Sequence, residues 1–525
     1  MLKTGQLSGV VLMLIAISCG TVHPDKDYAR TGELIQQRTG SNSVYDPAAE
    51  PEIQQKVAGL LTDGLSVDEA IRVALLNNRA FQSLFQEIGV SRADVVQSAL
   101  LTNPSLSLSA RFPQGGGRSN LSFGFAQEIA DLWQIPVRKR IAKDQLEQTI
   151  FHVVNAAIDL TARTRRAYYE VRAQEEAERV IRENLALLQR AQQLAQSRFD
   201  AGEATILDVN LVTSSALEGQ MRLEASRRDR EVARAGFERL LGVSLDQTGV
   251  KLTDALPEAT ELDEDESSLV KRALETRLDV RMAALDLDAA EAEVKHQRRS
   301  VLSSVVVGLE GERPDARAPR SLKPLPPMPQ RPDLSGVTAS QSINQAITQL
   351  AQVGRGQAQT ASQNAKDLAL QQLDNWRGRK LEKSQTIDLL LGPSLQVTLP
   401  VWDQNKAQIA KAHFKYLQKQ KDYEEMALGV MQDAREATAT LRAAKSLLEL
   451  STHDAIPLAE QNIGTAQRAY EAGEESIVTL LVAQQTLNSQ REAGIRFAGD
   501  YAGALADLDK AMGGETRKPA IASPE

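Results

Sequence analysis

The spacing of apolar residues divides the chain into long stretches of helical period and four short stretches of alternating period. From about Arg138 to Phe199, apolar residues recur at Leu146, Ile150, Val153 and Ala157, then at Ile181, Leu185, Leu188, Ala195 and Phe199, mostly three or four apart. That spacing predicts one helix of about sixty residues, on the order of 90 Å long. After Gly202 the pattern resumes through Ile206, Leu211, Val212, Leu217, Leu223, Val232, Phe237 and Leu241 and stops at Gly242, a residue suited to a helix C-terminus. Lys406 to Tyr470 and Ile477 to Met512 repeat this plan around Gly473. Helices so long persist only against other helices. Proline placement agrees with two uninterrupted blocks: none occurs between Val137 and Leu256, only Pro457 between Val401 and Lys518, and seven of nineteen crowd into Pro314 to Pro332. Pro457 predicts a kink or a restart, because it removes a ladder bond and crowds the preceding turn.

The two glycine turns are nearly the same word. "FDAGEATI" at Phe199 to Ile206 returns as "YEAGEESI" at Tyr470 to Ile477, 271 positions later. Upstream, Ala74-Leu75, Ile88, Ala93-Asp94-Val95 and Leu106 to Leu108 align with Ala273-Leu274, Leu287, Ala292-Glu293-Val294 and Val305 to Val307 at an offset of 199. The chain is therefore two copies of one plan, with extra residues between the strands of the second. A period this long is not that of a solenoid of short units.

Each copy carries two alternating segments, at about 103–112 and 119–127, and at about 301–310 and 393–402. In "NPSLSLSARF" Leu106, Leu108, Ala110 and Phe112 oppose Ser105, Ser107, Ser109 and Arg111, and in "NLSFGFAQ" Leu121, Phe123 and Phe125 oppose Ser122, Gly124 and Ala126. Val305, Val307 and Leu309, then Leu395, Val397, Leu399 and Val401, form the apolar sets of the second copy. Segments of this length with one oily face match strands that cross an outer membrane. Four strands cannot close a barrel, and an open edge in lipid leaves backbone groups unsatisfied. Three copies supply twelve strands, small inward residues leave room for water, and threefold closure is the simplest solution. The competing arrangement is a soluble hairpin pair buried against the helices.

Composition narrows the function. Aromatic residues are only 4% while Ala, Leu, Gln, Glu and Arg abound, a balance of long packed helices rather than of an ordinary enzyme. A net charge of −8 offers no basic surface to nucleic acid. The arginines of Arg163 to Arg166 and Arg227 to Arg230 read as solvated helix faces balanced by Glu. His23, His152, His296, His413 and His453 are scattered without ligand spacing, and neither a Walker loop nor a Gly-x-Ser-x-Gly elbow occurs. The expectation is no catalytic residue, no metal site and no cofactor.

At the start, Lys3 precedes an apolar run from Val10 to Ile17, too short to span and right for a signal peptide over 1–18. Ala16-Ile17-Ser18-Cys19 resembles a bacterial lipobox, which makes Cys19 the lipidated first residue of the mature protein, and Gly20 after it implies the outer membrane. The alternative is ordinary cleavage that discards Cys19 or leaves it free. More than one acyl chain on Cys19 makes a durable anchor.

"LSVDEAIRVALLNN", "NPSLSLS", "RFDAGEATILDV", "LLGPSLQVTLPVWDQNKAQIAKA", "IPLAEQNIGTAQRAYEAGEESIVTLLVAQQTL" and "ALADLDKAMGG", in this order and duplication, resemble the TolC-like outer-membrane efflux channel family, in its lipoprotein subgroup, across about Leu65 to Gly514. The resemblance implies a mainly α chain with a small β membrane part. Its two tandem repeats form, as a homotrimer, a 12-stranded β-barrel continued by a long α-helical barrel. The layout is a signal peptide 1–18, a lipidated polar segment 19–57 that wraps the outside irregularly, and repeat 1 over 58–256 with its tip at about 200–205. Repeat 2 covers 257–514 with its tip at about 471–476 and an insertion, 313–390, that emerges on the cell exterior, followed by a tail 515–525. The implied partners are a second and third copy, a periplasmic adaptor, an inner-membrane pump and outer-membrane lipid. The implied docking tips are Gly202, Glu203, Thr205, Gly473, Glu474 and Ser476. Family members often constrict the pore with aspartates past the second tip. Here Asp208 is kept in the first copy but Thr479 and Val482 stand in the second, leaving Asp208, Glu474 and Glu475 as candidate constriction residues. The expected role is a passive conduit for export of drugs, toxic compounds or metal ions. The alternatives are a periplasmic coiled-coil structural lipoprotein or an outer-membrane conduit for type I protein secretion.

Overall fold

A computed structural model describes residues 21–112, 114, 119–245, 249–261, 264–299, 305–313, 318–319, 370–372, 374, 386–387, 389–398, 404–472 and 474–514. The signal peptide 1–18, Cys19, Gly473, most of the insertion 313–390 and the tail 515–525 lie outside the described residues. The chain forms two units, one helical (Met1–Ala99, Val137–Gln297 and Ala407–Glu525) and one bearing the sheet (Leu100–Pro136 and Arg298–Lys406).

In chain order the helices are α1 (Asp25–Thr39), α2 (Glu50–Leu60), α3 (Val67–Asn77), α4 (Arg79–Ser98), α5 (Asp131–Asp200), α6 (Ile206–Leu241), α7 (Glu266–Thr276), α8 (Leu278–Arg299), α9 (Lys406–Leu450), α10 (Ile456–Glu471) and α11 (Ile477–Ala511). The duplication is carried down to single hydrogen bonds. Ser66 caps α3 in a reciprocal box with Glu69, and its counterpart Asp265 caps α7 by accepting from the Ser268 N–H. Asn77, at the end of α3, donates from Nδ2 to the Leu241 carbonyl at 3.1 Å, and Thr276, at the end of α7, donates from Oγ1 to the Met512 carbonyl at 2.7 Å. Each bond satisfies a carbonyl that the end of a long helix leaves without an intrahelical donor. Each therefore ties the last residues of a copy to its first helix. Gly242, which follows α6 at φ 70°, fits there because a Cβ would stand 2.7 Å from the Asn77 carbonyl oxygen.

The first copy packs around Phe85, Ile88, Ile150, Tyr168, Phe237 and Leu241, all almost fully buried. The Tyr168 hydroxyl donates to the Leu65 carbonyl and accepts from the Asp254 N–H, both at 2.9 Å, so its burial leaves no polar group unpaired. The second copy has its own core of Leu269, Val430, Ala434, Leu441, Tyr501 and Leu508.

Three sequence expectations are corrected. The segment after Cys19 is not irregular: α1 and α2 bury Ile35, Ile53 and Val57 in the first core, and Tyr28 stacks on Phe85 at 5.3 Å. Short-range alternation of polar residues hid this apolar stripe. Asp27 of α1 holds Arg92 with a two-bond pair at 2.5 and 2.6 Å, and Arg38 at its far end donates to the Gly513 carbonyl, so α1 fastens both copies. The first long helix starts at Asp131, before Pro136 rather than after it, as proline within the first turns displaces few ladder bonds. At Pro457 the expected restart is seen, with the proline in the first turn of α10. A π turn, Ser451–Ala455, passes directly into α10 with helical dihedrals on both sides. The arginine runs are not merely solvated. Arg165 and Arg166 of α5 pair with Asp509 and Asp507 of α11. Arg227 and Arg230 reach the buried carboxylate of Glu178, which also binds Arg182. Neighbouring charges along one helix cannot reveal a partner brought in by another.

In the other unit, β1 (Ser105–Arg111), β2 (Asn120–Glu128), β3 (Val305–Arg313) and β6 (Leu390–Val397) form one antiparallel sheet in the order β1-β2-β3-β6. β4 (Ala318–Pro319) and β5 (Thr386–Ile387) pair with each other within the insertion. The register aligns Leu108, Phe123 and Gly311 on one face, and Ser107, Gly124, Glu310 and Gly392 on the other. The apolar face is uncovered in the chain, with Leu106 and Leu108 at 69% and 77% exposure. The polar face is lined by small residues: a Cβ on Gly124 would meet Ser107 Oγ at 2.7 Å, and one on Gly308 would meet Ser394 Oγ at 2.6 Å. β1 and β6 are the outer strands.

Gly242→Ala is expected to lower thermal stability more than Gly202→Ala. Both glycines have positive φ, which costs alanine about 1–2 kcal/mol. Only at Gly242 does the added carbon also press on a backbone oxygen, for a total of roughly 3 kcal/mol. Melting of the two variants followed by circular dichroism checks the order.

Candidate functional site

The first tip is closed by the chain's own backbone. Gly202, at φ 79°, donates to the Phe199 carbonyl at 2.9 Å, and Glu203 donates to the Arg198 carbonyl at 2.8 Å. This six-to-one closure after a left-handed residue satisfies the last carbonyls of α5. Nothing stands within 4 Å of where a Cβ on Gly202 would lie, so its glycine is required by φ alone. At the second tip Glu474 donates to the Ala469 carbonyl at 2.9 Å, the same bond 271 residues on. Gly202, Glu203 and Thr205, like Glu474, Glu475 and Ser476, are exposed.

The return helices start differently. Thr205 accepts from the Asp208 N–H at 3.2 Å, while the Asp208 carboxylate accepts from the Thr205 N–H at 2.9 Å and hydroxyl at 2.7 Å. The Thr205 backbone and then its hydroxyl hold the Asp208 carboxyl below the usual aspartate range. Asp208 is thus engaged in starting its own helix. Ser476 makes no such side-chain cap; Thr479 instead donates to Glu475 at 2.9 Å. Of the three candidate constriction acids, Glu474 and Glu475 lie on one tip and Asp208 on the other.

The two tips of one chain touch. Arg198 donates to the Tyr470 hydroxyl at 2.8 Å with its guanidinium 5.0 Å from the ring centre. Beside it Ala195, Val209, Val212 and Ile477 form a small apolar cluster. Above this cluster α5, α6 and α11 enclose a groove of about 200 Å³, walled by Leu211 and Ser215 on one side and Val478 and Val482 on the other. Gly219 lets Leu188 into its floor: a Cβ there would lie 3.2 Å from Leu188 Cδ1. Asn488 lines the groove at 7% exposure, and its Nδ2 has no partner among the described residues. Arg222 leads on to a second hollow of about 370 Å³ where Ser226 Oγ is likewise buried without a partner. Sequence reasoning stopped at the tips and missed this groove. The signal was present in the spacing of Leu211, Ser215 and Arg222 against Val478, Val482 and Gln485, but periodicity cannot say which helix faces which. Cys19 and Gly473 lie outside the described residues.

A sequence profile of the outer membrane efflux protein family matches residues 70–243 and 269–514. No curated protein sequence matches. Among solved structures, a membrane protein from Pseudomonas aeruginosa is similar at TM-score 0.62 and 17% identity, over 85% of this chain and 93% of that one. The Campylobacter jejuni CmeC outer membrane channel is similar at 0.61 and 14%, over 90% and 89%. The Neisseria gonorrhoeae MtrE outer membrane channel, in its open state, is similar at 0.56 and 17%, over 85% and 89%.

Thr205→Ala is expected to cost the start of α6 about 1 kcal/mol, read as faster amide exchange at residues 206–209. Because the Asp208 pKa is lowered on folding, its contribution is present above the ordinary aspartate value near 4 and lost as pH falls through the folded value. Amide protection at residues 206–209 should therefore drop in acid in the native chain and stay flat in Asp208→Ala.

Proposed function

The chain belongs to the outer membrane efflux protein family, and on that premise we propose that it is the passive outer-membrane conduit of a tripartite export system. Three copies close a barrel of twelve strands, continued by a helical barrel into the periplasm. The observation that carries this reading is the sheet. Four strands present an uncovered apolar face, a face of small and polar residues, and two outer strands that have no further neighbour among the described residues. Each backbone group unsatisfied in hydrocarbon costs several kcal/mol, so only a closed ring of strands survives there. With the apolar face toward lipid, the small polar face lines a water-filled lumen.

Transport chemistry is supplied elsewhere. A conduit of this kind lets cargo pass while an inner-membrane pump does the work. We assign the tips, Gly202, Glu203, Thr205, Gly473, Glu474 and Ser476, to docking of a periplasmic adaptor. The groove above them extends that surface, since exposed Leu207, Leu211, Val478 and Val482 suit the apolar stripe of a partner helix. Asn488 and Ser226 await polar groups there. A lipidated Cys19 holds the mature chain at the membrane, and Asp208, Glu474 and Glu475 are assigned to the pore constriction. Small molecules are the cargo class, as drugs, toxic compounds or metal ions.

The protein extracted from outer membranes in detergent should be a trimer by native mass spectrometry and should conduct ions in planar bilayers; a non-conducting monomer overturns the reading. Cys19→Ala should lose labelling by radioactive fatty acid while the barrel still assembles. Leu211→Asp with Val482→Asp should leave the trimer intact but weaken adaptor binding by roughly tenfold or more, since a charge is driven into an apolar contact. Unchanged adaptor capture would remove the groove from the docking surface.

A further inference from the structure

One face of α11 meets α5 and α6 over a hollow instead of a packed seam. Ala173 and Ala177 of α5, Ala225 of α6 and Gly499 of α11 line it, and the space left by these small residues is about 370 Å³. That is the small end of the range of ligand pockets, about 300–1,000 Å³. α5 and α11 touch at Gly499, where an added Cβ would lie 3.3 Å from Ala173 Cβ. Ile181 and Ile495 add to the apolar wall.

Two polar groups in this hollow lack partners. A serine within a helix can give its hydroxyl to the carbonyl four residues back, as Ser215 of α6 does to Leu211 at 3.0 Å. Ser226 of the same helix, only 7% exposed, does not, and its Oγ has no partner among the described residues. On α11, Glu492 is half-buried and accepts no hydrogen bond from a described residue. Burial pushes its carboxyl above the usual glutamate range, against the pull of Arg222 and Arg496. Most of the other charges are engaged nearby: Arg222 donates to Glu218, Asp229 accepts from Arg228 and Glu170 accepts from Gln174. Arg496 leans on the Phe497 ring, 5.8 Å from its centre. Asp500 makes no ion pair among the described residues, so acids outnumber bases around the space.

A half-buried carboxylate without a donor and a buried hydroxyl without a partner both call for a ligand N–H, and the excess of acids disfavours an anion. We propose that the hollow between α5, α6 and α11 binds a small primary amine in its ammonium form, directing one N–H to the Glu492 carboxylate and another to Ser226 Oγ. An ammonium group has three donors to offer. The apolar body of the amine lies against Ala173, Ala177, Ala225 and Ile495. Bound there, it joins three helices that otherwise meet over small side chains. Neither a pore nor a docked adaptor is needed for this binding, and Leu211 and Val482 line the neighbouring groove instead of this hollow.

Isothermal titration of the full-length protein in dodecyl maltoside at neutral pH tests the site, with phenethylamine as the probe. Hydrocinnamate and phenethyl alcohol supply the same apolar body with a negative and with no charge. The amine should bind saturably, one per chain, about tenfold or more tighter than either. Glu492→Gln should weaken it about tenfold and Ser226→Ala about threefold, the weights of a charged and of a neutral hydrogen bond. Ala225→Leu, which fills the hollow, should abolish binding; where that variant does not assemble, the other two, which add no bulk, decide. Absence of saturable binding, hydrocinnamate binding as tightly as the amine, affinity indifferent to Glu492→Gln or to Ser226→Ala, or binding retained in an assembled Ala225→Leu protein overturns the site. Specific amine binding by a monomer that does not conduct keeps the site and overturns the conduit alone.

Discussion

A backbone N–H or C=O without a partner is the constraint around which this chain is arranged. Helix ends, hairpin tips and sheet edges are where such groups accumulate, and most of them are answered from within. Asn77 and Thr276 reach the last carbonyls of the two return helices, Glu203 and Glu474 close the two tips, and Thr205 with Asp208 start α6. The outer sides of β1 and β6 are the conspicuous exception within the described residues. In water such an edge is tolerated; in lipid it has to be paired. A single unmet requirement of one chain thus points to an assembly of several.

Duplication explains how so long a chain keeps its order. Each copy encloses its own core, and the short helices at its start grip the glycine-terminated end of its last helix. The copies are then cross-linked by charge: Arg165 and Arg166 to Asp509 and Asp507, and α1 to Arg92 and Gly513. Such pairs stabilise modestly where solvated; within the first copy, the buried carboxylate of Glu178 is held by Arg182, Arg227 and Arg230. The scaffold is common to both copies; they differ in the insertion between the strands of the second and in side chains along the hairpins. Asp208 stands against Thr479, Ala186 against Pro457 and Leu223 against Gly494.

Much of this was legible in the residues themselves. Periods of three to four and of two located the long helices and the four strands, and the α6 boundaries follow directly from Thr205 and Gly242. The first tip could be read because a left-handed turn calls for glycine and leaves a local mark. Outcomes that depend on a distant neighbour were not legible. α1 looked polar because its apolar residues are few and gain meaning only against Phe85; the arginine runs looked solvated because Asp507, Asp509 and Glu178 arrive from other helices. Pro457 announced a kink or a restart, but the π turn that precedes it depends on what packs beside it, and Gly494 lies 37 positions on. By itself the sequence determined the elements, their duplication and the faces they offer, since those follow from local spacing and backbone chemistry. Only the tertiary structure decided the groove and the touching tips, since each is a relation between side chains that the fold alone brings within reach.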